Sequence, residues 1–246
     1  MDNVAYIGLS RQAGLMRELD IIANNLANAN TTGFRREGAV FSEHVKALQG
    51  ASQRIVQPSR SLSIGHLGAH ATDFSQGGMK ATGAPLDIAI EGEGFFVIDT
   101  PAGQSLTRAG AFLTNSEGQL ITPDGYGVLD DAGGQINFPA DAGTILISRD
   151  GSITVDGDQV ARLGVVDADP LQLERLGDNL WRSPAGTQQL EDFAVRQGFL
   201  ETSNVSPVTE IARMIEVQRH YDAGQTLLEL DNERIKNVVT TLRQLA

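Results

Sequence analysis

The sequence predicts an α+β protein: N- and C-terminal helices forming a coiled-coil-like region, a central all-β antiparallel domain, and an irregular arm. Three observations carry this reading. Glycine is segregated, with 5 in residues 1–54, 21 in 55–198 and only Gly224 in 199–246. Apolar residues at both ends recur with helical spacing, whereas those in the middle alternate or form short runs. Charge divides the same way: the chain carries −12, and the middle, with 8 basic and 19 acidic side chains, holds −11 of it.

At the N-terminal end, positions 1, 5, 8, 12, 15, 19, 22, 26 and 29 read Met, Ala, Gly, Gln, Leu, Leu, Ile, Leu, Ala. This alternating 4,3 spacing lines one helical face, and its apolar character strengthens from Leu15 through Leu19, Ile22 and Leu26. An asparagine-rich run from Asn24 to Asn30 competes for backbone hydrogen bonds, and Gly33 is the expected stop of an N-terminal segment 1–34. Residues 35–85, dominated by Gly, Ser, Gln and His, read as an irregular arm with one or two strands. Strand grammar begins at 86: Leu86 to Ile90 alternates, Phe95 to Ile98 is a short apolar run, and Asp150-Gly151 separates Thr144–Ile147 from Ile153–Val155. Further Asp-Gly pairs at 124–125 and 156–157 suggest a β domain over 86–198 with roughly eight to ten short strands. Ser206 before Pro207 then opens a long helix within the segment 199–246, because proline presets a helical φ and lacks only a donor that would go unpaired there. Its seam reads Met214, Val217, Tyr221, Gly224, Leu228, Asp231, Ile235, Val238, Leu242 and Leu245, and only Gly224 and Asp231 depart from apolar character. So narrow a stripe cannot bury itself, so the helix needs partner helices, and the N-terminal helix is the nearest.

Composition excludes several chemistries. Cysteine is absent, which removes disulfides, thiolate nucleophiles and cysteine-ligated metals. The acidic balance, with pI near 4.7, has the wrong sign for tracking phosphates, so no nucleic-acid partner is expected. No eighteen-residue apolar run exists to span a membrane, and Gly8, Ser10, Arg11 and Gln12 interrupt the start that a cleavable signal peptide would need. Gly92-Glu93-Gly94 fails as a dinucleotide fingerprint because Val97 stands where the last glycine belongs. His66 and His70 lack the glutamate of a zinc-protease helix and read as loop histidines. The pairs Asp156/Asp158 and Asp167/Asp169 lack the glycine of a calcium loop at Ala161 and Gln172, so turn carboxylates are expected. No nucleophile can be matched to a base, and neither an enzyme activity nor a cofactor is expected.

The stretch Ile22 to Arg36, with Asn24-Asn25-Leu26-Ala27-Asn28-Ala29-Asn30-Thr31-Thr32-Gly33-Phe34, closely resembles the N-terminal signature of bacterial flagellar rod and hook proteins. Phe74 to Phe96 and Gln197 to Val205 resemble further blocks of the same family, and the start Met1-Asp2-Asn3 with Tyr6 and Leu9-Ser10 is most similar to its proximal-rod members. The resemblance implies a structural, non-enzymatic subunit of the periplasm-spanning basal-body rod that transmits torque from motor to hook. It implies partners in further copies of itself, in neighbouring proximal- and distal-rod subunits and in the flagellar export apparatus, without membrane insertion. It also implies that the two terminal segments form the axial, tube-lining helices. An assembly interface is then expected at Leu15, Leu19, Ile22, Asn24, Asn25, Leu26, Asn28 and Phe34, facing Met214, Val217, Tyr221, Leu228, Ile235, Val238, Leu242 and Leu245. A coiled-coil-stalked adhesin or glycan-binding protein is the alternative, and a metal-dependent enzyme on the His66/His70 loop a more remote one.

Overall fold

The computed structural model describes residues 2–47, 61–139 and 141–244. The apolar spacing at the two ends gives α1 (Asp2–Ala27) and α2 (Pro207–Gln244). Ser206 begins α2 as the sequence leads one to expect: its carbonyl accepts the Glu210 N–H at 3.0 Å. The first helix ends at Ala27 and not at Gly33, because the asparagine run makes its own turn. Thr31 donates from N–H to the Asn28 carbonyl and from its hydroxyl to the Asn28 side chain, both at 3.1 Å.

The chain forms two compact units, one of Met1–Ala27, Glu37–Asp73 and Ser206–Ala246, the other of Asn28–Arg36 and Phe74–Val205. The first unit holds both helices and an antiparallel ribbon of β1 (Glu37–Ala47) and β2 (Ser61–Thr72), with a register shift at Val40/Phe41. His66 and His70, expected in a loop, stand on β2, paired with Ser42 and Ala39. Leu62, Ile64 and His66 alternate with Ser61, Ser63 and Gly65, which is strand grammar, and Leu67-Gly68 then breaks the pattern before His70.

Among the described residues the second unit is built of antiparallel strands, with one 3-10 turn at Pro170–Gln172. It takes in 28–36, 74–85 and 199–205 as well as 86–198: Met79–Ala81 pairs with Phe199–Glu201, so the helix begins only at Pro207 and the first residues of the segment 199–246, expected with the C-terminal helix, belong to this β unit. Among the described residues it contains sixteen strand segments, more than the eight to ten expected, since closely spaced turns cut the sheet into pieces mostly of two to five residues. Its largest sheet has nine strands, with Phe95–Thr100 between Gly103–Thr107 and Gly127–Val128. The run Phe95 to Ile98 is apolar because this strand is covered on both faces. Phe96 and Ile98 enter a core with Ile88, Ile90, Phe112, Leu120 and Val128, while Phe95 and Val97 enter a second with Leu106, Leu129 and Trp181.

The acidic turns are structural. Asp156 accepts the N–H groups of Thr144 at 2.8 Å and Gly143 at 3.0 Å, which holds its carboxyl below the usual 3.8. Asp150 is lowered by the Ser152 hydroxyl and N–H, and Asp169 by the Leu171 N–H and the Gln172 amide. Carboxyls depressed in the folded state contribute stability above their unfolded pKa, near 4, and lose it as pH falls through the lowered value. Thermal melts of the protein should therefore weaken progressively below about pH 4. Asp156→Asn should flatten part of that acid limb by lowering the neutral melt toward the acid one. An unchanged limb would remove Asp156 from the turn.

Candidate functional site

The two helices pair within the chain, and they run antiparallel. Asn25 meets Glu210, the Arg213 guanidinium grips Glu18 at 2.7 and 2.9 Å, and the Gln12 amide donates to the Tyr221 carbonyl at 2.9 Å. Leu228 seats on Gly8, where an added Cβ would lie 2.8 Å from its Cδ2, and Gly224 leaves room for the Gln12 amide in the same way. Leu15, Ile22 and Val217 form the buried centre, with Leu19, Met214 and Tyr221 packed around it. A stripe too narrow to stabilise one helix is thus half covered by the other.

The expected interface residues divide into three groups. Leu15, Leu19, Ile22, Met214, Val217, Tyr221 and Leu228 come together in the helix pair. Asn25 and Phe34 are buried inside the chain's own fold. Asn25 pairs both backbone groups of Glu37, donating to the carbonyl at 2.7 Å and accepting the N–H at 2.9 Å, so its amide continues the backbone ladder where α1 gives way to β1. Phe34 lies under the Arg175 guanidinium, 4.6 Å from the ring centroid. Leu26 and Asn28 are half-buried and Asn24 is exposed. The third group is open: Val217 is 4% exposed, but further along the same seam Ile235 is 39% and Val238 53% exposed. Asp231, the seam's one charge, is held by Arg234 at 3.0 Å. The Leu242 side chain and Leu245 lie outside the described residues.

Sequence reading missed a buried ionic junction in the β unit. Glu201 is 1% exposed and receives Arg35 at 2.5 Å, Arg108 at 3.3 Å and the Gly77 N–H at 2.9 Å. Arg35 also donates to the Ser75 carbonyl, Arg108 to the Gly92 carbonyl, and Asn204 joins Arg36 N–H to the Ser75 carbonyl. The three resembling blocks therefore meet at one point. Burial lowers the Arg108 guanidinium to about 10, with Glu201 opposing and Arg35 adding to the shift, so it stays charged at neutral pH. The available signal was Arg35 inside the first block and Glu201 inside the third, but nothing in their spacing pairs residues 166 apart.

Gly33 fixes the geometry beside this junction. Its φ is +67°, its N–H donates to the Glu201 carbonyl at 2.9 Å, and a Cβ would come within 2.5 Å of Ala109 N and Arg108 C. Gly33→Ala should destabilise the β unit by about 1–3 kcal/mol from backbone strain alone, with overlap adding to it, as read by a urea midpoint. A midpoint unchanged within error would contradict the crowding.

Among the described residues no group of three His, Asp or Glu side chains could hold a metal ion. A family model described as "Flagella basal body rod protein" matches residues 6–35, one for the "Flagellar hook protein FlgE/F/G D1 domain" matches 89–155, and one for the "Flagellar basal body rod FlgEFG protein C-terminal" matches 196–241. The chain is 40% identical to the flagellar basal-body rod protein FlgF of Caulobacter vibrioides, covering 100% of both chains. It is 36% identical to FlgF of Mesorhizobium japonicum, covering 98% of each, and 33% identical to the basal-body rod protein FlgG of Bacillus subtilis, covering 97% of this chain and 98% of that one. These relatives displace the adhesin alternative: the chain belongs to the bacterial flagellar basal-body rod protein family and is a structural subunit of that rod.

Proposed function

We propose that this chain serves in the proximal part of the rod and carries torque through helix-to-helix contacts between subunits, with no catalytic step. One observation supports the reading above all: the α2 seam is covered by α1 as far as Leu228 and is open beyond it at Ile235 and Val238. An apolar stripe in water gains free energy only when a partner covers it, and in a rod that partner is a neighbouring subunit, either a further copy or another rod protein. Leu15, Leu19, Ile22, Met214, Val217, Tyr221 and Leu228 hold the pair in shape, and Ile235 and Val238 extend the seam toward neighbours. Heterologous contacts repeated along a helical lattice distribute shear over every subunit, which suits a drive shaft better than any single strong bond. The chain reaches its place through the flagellar export apparatus and takes no cofactor.

Complementation of a deletion strain tests the reading. The full chain should restore motility and hook-bearing basal bodies, whereas an allele ending at Arg234 should restore neither. Motile cells carrying the shortened allele would remove the seam from assembly.

A further inference from the structure

We propose that Asn204 and the Glu201 junction form a force clamp, which ties together three strands through which the chain leaves the β unit and divides among them a load that would otherwise fall on one. The inference rests on the reading of the chain as a torque-transmitting rod subunit and names where, inside the subunit, the load is held.

The chain passes between its two units at 27/28, 36/37, 73/74 and 205/206. Force carried along the backbone from the helical unit enters the β unit at these points. The last three adjoin the junction: Arg35 and Arg36 stand just before one, Ser75 and Gly77 just after the next, and Glu201 and Asn204 just before the last. Asn204 is the outermost tie. Its Oδ1 accepts the Arg36 N–H at 2.7 Å, its side-chain amide donates to the Ser75 carbonyl at 3.0 Å, and its own N–H reaches the Phe34 carbonyl at 3.4 Å. One half-buried residue thus joins all three strands. Further in, Glu201 repeats the tie with charge, receiving Arg35 from the first strand and the Gly77 N–H from the second.

These strands are held by directional bonds and hardly at all by the apolar cores. No residue of 28–36 or 199–205 belongs to either core, and of 74–81 only Phe74 packs against one. Strand direction decides how the bonds fail. Met79–Ala81 and Phe199–Glu201 are antiparallel with Glu201 opposite Met79, so residues 74–78 and 202–205 leave the pair at the same end. A single strand pulled from that end peels, breaking one hydrogen bond after another. Strands tied side by side give way only together, so the ties act above all on the rate of forced unfolding.

The chain has no cysteine, so engineered ones are its only thiol handles for single-molecule pulling. In the full-length protein, Val208→Cys with Leu171→Cys, both at exposed positions, draws on the 205/206 exit, whereas Leu113→Cys with Leu171→Cys draws on the β unit through no exit. Asn204→Ala should shorten the lifetime under a fixed force about tenfold in the first geometry, the effect of two lost hydrogen bonds, and less than about twofold in the second. Asn204→Asp keeps the acceptor for Arg36 but loses the donor to Ser75, and should fall between. Equal shortening in both geometries would make Asn204 an ordinary stabilising residue, and an unchanged lifetime in the first would remove the tie; either result overturns the clamp. In a deletion strain, Asn204→Ala should enter basal bodies at the wild-type level and support swimming in dilute medium, but fail as viscosity raises the load. Wild-type swimming at every viscosity would also overturn the clamp. Absence of the wild-type chain from basal bodies would instead overturn the rod reading and leave the pulling result standing.

Discussion

Replacing Glu201 by alanine should lower the stability of the β unit by about 3–5 kcal/mol, the cost of leaving buried charge uncompensated. Arg35 and Arg108 are 1% and 4% exposed, and both direct guanidinium nitrogens at this one carboxylate. Without it two cations face each other in a site that already lowers Arg108 through burial. Glu201→Gln keeps the shape and one acceptor but not the charge, and should recover only a minor part of the loss. Trp181 is the chain's single tryptophan and is buried in the β unit, so its fluorescence reports the transition in guanidinium directly. A loss below about 1 kcal/mol would mean that solvent or a rearranged loop replaces the carboxylate at little cost.

Val217→Asp should disrupt the helix pair. Val217 lies between Leu15 and Ile22, where a carboxylate would be buried among apolar side chains while Arg213, one turn before it, is already paired with Glu18, and it would cost several kcal/mol on top of the roughly 1.5–3 kcal/mol lost with the valine. Far-ultraviolet circular dichroism should lose helical signal, basal bodies should lack the chain, and the Trp181 transition should stay in place because that residue belongs to the other unit's core. Retained helicity would show that the ribbon and the ends of α1 suffice to hold the helices.

How much of this was legible in the sequence depends on distance along the chain. The helices were legible because a 3.6-residue period is local, and Phe95 to Ile98 was legible as a strand because a short apolar run is local too, whereas the burial of both its faces emerged only with the folded sheet. The end of α1 was misplaced because Gly33 looks like a helix stop, and in fact its positive φ serves the turn beside Arg108. The strand count fell short because two-residue pairings such as Leu113–Thr114 with Leu120–Ile121 leave almost no pattern. The Arg35–Glu201–Arg108 junction was invisible for a different reason: an ion pair has no periodicity, and three residues spread over most of the chain meet only once the sheet exists. For the same reason Asn25 and Phe34 could be picked out as important residues without its being evident that they are buried within this chain.

The exposed part of the α2 seam offers the sharpest contrast between fold and assembly. Val238 is 53% exposed in the single chain, so Val238→Asp should cost the isolated protein almost nothing. If neighbouring subunits cover the seam in the rod, the same carboxylate becomes buried and unpaired there. The decisive measurement is therefore the amount of Val238→Asp chain in purified basal bodies, set beside its thermal melt and helical signal. A wild-type melt with at least a tenfold loss from basal bodies is the expected result; wild-type incorporation with full motility would show that this surface is not where the rod is joined.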